Sequence, residues 1–179
     1  FSGTGATLHL ESANLYCSGA FNAASALNII DAGTSTVTFN ATSGTNDIRL
    51  YGNSLNNVVF NDANDATSGW ATWRLQDALN VACNLTFTDG TFDPQTYAVV
   101  LNGTGTQTLT TNAVSLYDLT VNKSAGAVNL ASNLDVNHGL TITAGTLDLS
   151  GYNLDLTGAA FSNIDTLRLQ GSETLTNFT

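Results

Sequence analysis

Leu140–Gly158 reads LTITAGTLDLSGYNLDLTG, and its pattern decides the fold. Leu140 and Ile142, Leu147 and Leu149, and Leu154 and Leu156 alternate with Thr, Asp and Ser, as in strands with one buried face. Three short strands follow, Leu140–Thr143, Thr146–Leu149 and Asn153–Thr157, with Gly145, Gly151 and Gly158 at the breaks. The same grammar recurs. Leu85–Gly103 (LTFTDGTFDPQTYAVVLNG) matches without gaps at an offset of 55, and Thr7–Gly19 matches Thr146–Gly158 at an offset of 139. Internal repetition of this kind predicts a repeat architecture.

Strands of three to five residues with turns of two to five imply coils of roughly 18 to 20 residues. The expected fold is all-β, a parallel β-solenoid of about nine coils forming a rod on the order of 45 Å long. Leu, Ile, Val and Phe would fill its core, with Asn or Thr laddering between coils. The rival architecture is a Greek-key β-sandwich, which also uses short alternating strands. A sandwich has no reason to repeat its own strands, so the solenoid is preferred. Trp73–Val81 is the best helical candidate and reads as strand. Residues 1–179 are expected to form one repetitive β domain, a mature chain or a slice of a longer fibre.

Asp62–Ala71 (DANDATSGWA) breaks the rhythm. Offsets of 61 before it and 55 after it imply about six inserted residues, expected as a projecting loop near 63–72. Pro94, the only proline, stands where the matched copy has Leu149, so its strand is interrupted or has a free edge.

Charge narrows the partners. Fourteen acids face four bases among 179 residues, for a net charge of −10. Nucleic acid and anionic membranes are excluded as partners, since phosphate binding needs Lys and Arg. No apolar run approaches the length of about 18 residues that spans a bilayer. Polarity rests on Thr, Asn, Ser and Asp, which suits an extracellular β protein.

GTLDLSGYNLDLTG (Gly145–Gly158) and SLYDLTVNKSAGAVNLASNLDVNHGLTI (Ser115–Ile142) resemble the repeats of large secreted prokaryotic surface proteins of the β-helical adhesin, stalk and fibre type. The resemblance covers most of Thr72–Gly158 and rests on strand grammar, without a catalytic signature. It implies a structural or adhesive role at the cell surface or outside the cell.

A search for chemistry returns little. No catalytic cluster emerges: Asn137-His138-Gly139 lacks the paired Asp and basic groups of a polysaccharide hydrolase, and Lys123 reads as a solvated charge near Asp118. The chain is expected not to be an enzyme, and no cofactor is indicated. His9 and His138 align with non-ligands, which leaves no metal spacing. Calcium is the one ion considered, through Asp89, Asp93, Asp148 and Asp155 on outward or turn positions, although no calcium-loop pattern accompanies them. Thr36/Thr38, Thr86/Thr88, Thr106/Thr108 and Thr141/Thr143 suggest a water-ordering array, but their spacings are not multiples of one coil. Cys17 and Cys83 are expected to point inward, as small buried hydrophobes or as a disulfide.

The remaining candidates are aromatic or glycan-related. Trp70, Trp73 and Tyr97 could stack on carbohydrate, or Trp73 could fill the core. Sequons stand at Asn40, Asn84, Asn102, Asn122 and Asn177. The leading expectation is a structural subunit that assembles head-to-tail with copies of itself. The alternatives are a module that binds surface glycans and, behind it, a polysaccharide-degrading enzyme. Leu140, Ile142, Leu147, Leu149, Leu154 and Leu156 should be buried, with Thr141, Asp148 and Asp155 outside.

Overall fold

The structure, a computed structural model, describes residues 5–26, 28–62 and 70–178. Among them every strand pairing is parallel, and there is no helix. That excludes the sandwich. The chain is a three-sided parallel β-solenoid of about eight coils.

Face one begins with β1 (Thr7–His9), β4 (Ile29–Asp31), β7 (Ser54–Leu55), β10 (Leu79–Val81) and β13 (Ala98–Leu101). Face two begins with β2 (Asn14–Cys17), β5 (Thr36–Phe39), β8 (Asn57–Phe60), β11 (Leu85–Phe87) and β14 (Gln107–Thr110). Face three begins with β3 (Phe21–Asn22), β6 (Thr45–Arg49), β9 (Thr72–Leu75) and β12 (Thr91–Asp93). Farther along, the long strands β15 (Ser115–Leu130) and β16 (Leu134–Asp148) turn corners and serve more than one face. β17 (Leu154–Asp155), β18 (Ala160–Asn163), β19 (Thr166–Arg168) and β20 (Leu175–Thr176) complete coils seven and eight.

The coils are longer and less uniform than expected. Paired residues stand 22 apart at Thr7 and Ile29, 27 at Thr45 and Thr72, and 20 at Ala98 and Asp118. Most corners can lengthen because they lie outside the ladder, whereas the straight run within each face stays short. The variation corrects the expected coil of 18 to 20 residues and the count of nine. Eight coils make a rod of about 38 Å.

The 55-residue match changes meaning too. Leu85 pairs with Val58 and Leu109 on face two, while Leu140 pairs with Leu119 and Phe161 on face one. Likewise Thr7 lies on face one and Thr146 on face two. The recurring unit is therefore one strand with its turn, not one coil.

The core is a continuous apolar column. Leu140, Ile142, Leu147, Leu149, Leu154 and Leu156 are all buried. Register places Phe39, Phe60 and Phe87 on successive rungs of face two. Their rings stack at 5.0 Å and 4.9 Å, close to the rise between parallel strands. Trp73 and Phe92 close on Phe60 from face three at 5.3 Å and 5.2 Å. Gly90 is required beside Trp73, because its φ is +88° and a Cβ there would strike the indole.

Amides ladder along the corners, as anticipated. Asn57 Oδ1 accepts the Asn84 N–H, and Asn84 Oδ1 accepts the Thr108 N–H. Asn133 and Asn153 repeat the device toward Asn153 and Thr174. Where β4 and β7 do not pair, Asn53 spans the gap, accepting from Ile30 N–H and donating to Asn28 O. β12 ends directly before Pro94 and pairs only with β9, so its other edge is free of ladder partners.

Two expectations about side-chain environment need correction. Asp148 faces outward from the sheet yet is only 2% exposed, because Arg168 and Gln170 of the next coil lie over its carboxylate. Lys123 is not solvated, and it does not pair with Asp118. It is 2% exposed and turns into the core, while Asp118 accepts His138 Nδ1 at 2.8 Å. Thr141 and Asp155 are half-exposed. Cys17 and Cys83 are both free thiols and half-buried, without a disulfide between them. Burial pushes the Cys17 thiol up to about 11.

Candidate functional site

The densest surface chemistry lies on face three of coils two to four. A strand sends alternate side chains outward, so Asp47 and Arg49 of β6, Arg74 of β9 and Asp93 of β12 share one outer surface. Register aligns Asp47, Arg74 and Asp93 on successive rungs, which sets a cation between two carboxylates. Arg74 Nε donates to Asp47 Oδ1 at 2.8 Å, and Gln76 Nε2 donates to the same oxygen at 3.2 Å. The Arg74 hydrogen bond holds the Asp47 carboxyl below the ordinary aspartate range. Two of the chain's four basic residues are on this face.

Aromatic groups border it. At the exit corner, the Arg49 guanidinium lies 5.5 Å from the centre of the Tyr51 ring and donates to its hydroxyl at 3.5 Å. Asp77 fixes this corner by accepting the N–H groups of Leu50 and Tyr51 at 2.9 Å and 2.6 Å. Tyr97 stands at the same corner two coils beyond Tyr51 and is 37% exposed. At the entry edge, Trp70 is 51% exposed, and the next residue, Ala71, donates its N–H to the buried Asp62 carboxylate at 2.7 Å.

Of the three aromatics singled out from sequence, Trp70 and Tyr97 therefore flank opposite edges of one face. Trp73 does not join them: its side chain is fully buried beneath the same face, so it cannot stack on a sugar. Arg49, Tyr51 and the Asp47–Arg74–Asp93 ladder were not legible, because their convergence depends on coil lengths of 19 and 27 residues. The loop expected near 63–72 lies mostly outside the described residues.

Elsewhere the candidates disperse. Asp89 and Asp93 lie on coil four and Asp148 and Asp155 on coil seven, and no group of three or more His, Cys, Asp or Glu converges among the described residues. His9 meets Asp31 at 2.9 Å, and His138 stacks on Tyr117 with ring centres 4.4 Å apart. Among the sequons, Asn84, Asn122 and Asn177 are exposed. Asn40 and Asn102 are half-buried, and Asn102 donates its amide to Ser54 Oγ at 2.9 Å. Unequal coils bring Thr38, Thr86 and Thr110 into one outer column of face two, with Val59 between the first two. Over coils one to six this face carries no outward charge among the described residues.

The class defined by this architecture is the parallel β-solenoid, with a charge-paired, aromatic-edged surface on one side. No protein-family model, curated protein or solved structure matches the chain.

Proposed function

We propose that the chain is a structural segment of an extracellular filament, stalk or adhesin, extended coil upon coil and assembled head-to-tail with copies of itself. The observation that carries this reading is the surface of coil eight. Phe161, Leu167 and Leu175 point inward but are only partly buried, whereas the equivalent Leu140, Leu147 and Leu154 one coil earlier are fully covered. Ile164 is 77% exposed, and Leu169 and Phe178 are exposed as well. Among the described residues, β18, β19 and β20 pair on one side only, which leaves a row of backbone donors and acceptors on the other. A further coil would satisfy both the apolar surface and the ladder. Coil one offers the matching pattern, with Leu8, Leu15 and Cys17 partly buried. The 139-residue match between the two ends is not part of this case, since it relates different faces.

Axial stacking is heterologous and does not close, so it generates a filament. Light scattering and sedimentation of the 179-residue chain across concentration test it, beside a Leu8→Lys, Leu175→Lys variant. Growth of fibres by the parent and monomers from the variant are expected. A parent that stays monomeric at high concentration would remove the head-to-tail assembly.

A second reading is favoured by Trp70 and Tyr97, which present exposed rings on either side of a polar face. In it the module binds neutral surface glycans by stacking. A glycan array compared between the parent and a Trp70→Ala, Tyr97→Ala variant decides: equal signals would leave the aromatics without a ligand.

A further inference from the structure

The corner between faces one and two holds a buried lysine that the assembly reading does not use. Lys123 lies two residues past the Leu101–Val121 pair, at the level where the previous coil has Gly103. A Cβ at Gly103 would strike the Ala82 carbonyl, so only glycine fits there. Nζ donates to Gly103 O at 3.0 Å and to Gln107 Oε1 at 2.5 Å. Gln107 is itself only 1% exposed, at an inward position of face two. Its Nε2 is held by Val81 O at 3.0 Å and Cys83 O at 2.5 Å.

No carboxylate contacts the amine among the described residues. A neutral amine has two N–H groups and one lone pair, and here two acceptors match two donors. An ammonium would carry a third N–H into the core without a partner. Burial also lowers the Lys123 pKa, in the same direction. In its neutral form this amine is a nucleophile in contact with a carboxamide whose carbon lies one bond beyond Oε1.

We propose that Lys123 and Gln107 form an isopeptide cross-link that staples coil five to coil six. The Nζ lone pair adds to Gln107 Cδ, while Oε1 faces the Gly103 N–H at 3.4 Å. The Cδ–Nε2 bond then breaks, one proton passes from Nζ to Nε2, and ammonia leaves. Atoms balance without oxidant or cofactor. Fixed contact between buried partners raises the effective concentration of the amine far above that of a bimolecular reaction. A surface pocket of about 460 Å³ lined by Cys83, Gly103 and Thr106 gives ammonia a way out. This inference is independent of end-to-end assembly.

Mass spectrometry of the purified chain, after prolonged incubation at neutral pH, tests it. The expected intact mass is one ammonia below that of the sequence, and Lys123→Arg and Gln107→Leu should each restore the full mass. Trypsin acting on the denatured protein should fail to cut after Lys123, giving a single 75–168 peptide that lacks one ammonia. Two results would overturn the proposal. One is a full-mass parent cut normally after Lys123. The other is a deficit that maps to a succinimide at Asn102-Gly103, since that ring also forms with loss of ammonia.

Discussion

Glu173 organises a corner of coil eight with a single carboxylate. Its oxygens accept the N–H groups of Gln170 at 2.7 Å, Gly151 at 3.0 Å, Gly171 at 2.7 Å and Ser172 at 3.0 Å. The Gln170 N–H leads these in holding its pKa down to about 2. An acid depressed in the fold stabilises fully above its unfolded value, and that contribution is lost as pH falls through the folded value. For Glu173 the window runs from about pH 4.3 to about pH 2. The melting temperature of Glu173→Gln should fall below that of the parent above pH 5, and the two should converge near pH 2. A constant gap would show that the charge is not what matters. Asp148 shows why such residues are hard to read from sequence. Alternation correctly puts it on the outer side of its strand, but only the register with Arg168 reveals that it is covered. Lys123 escaped for a related reason: its burial rests on acceptors of the preceding coil, Gly103 O and Gln107 Oε1.

At the scale of elements, alternation was enough to locate the strands around Leu140–Gly158 and their buried leucines. It could not locate the aromatic ladder, because Phe39, Phe60 and Phe87 are separated by 21 and 27 residues. Removing the middle ring breaks two stacks and its contacts with Trp73 and Phe92. Phe60→Ala should cost about 3–5 kcal/mol in denaturant unfolding. A loss below 1 kcal/mol would mean that the neighbouring rings collapse into the space. The interruption between β8 and β9 is the opposite case, in which length is expected to matter little. Eleven residues separate Phe60 from Thr72, and five separate Phe39 from Thr45 in the preceding coil. Deleting Asn64–Gly69 removes six and leaves five. Calorimetry should show a melting temperature within a few degrees of the parent, with β8 and β9 still paired to β5 and β6. A collapse of the transition would make this segment structural.

For the whole molecule, charge sets the conditions under which assembly should be seen. A chain of net charge −10 repels its copies, and salt screens that repulsion over about 10 Å at 0.1 M. Fibre growth, if axial, should therefore quicken as salt rises. The rod also has a phase. Its recurring unit is one strand with its turn, a third of a circuit, so gaining or losing one such unit would rotate everything downstream by about 120° about the axis. The interior, mainly apolar on all three sides, would tolerate the change, while the decoration beyond it would be re-aimed. Compass bearing and height on this rod can thus be set separately: corner length leaves both nearly untouched, a whole coil changes height alone, and a third of a coil turns the surface to a new heading.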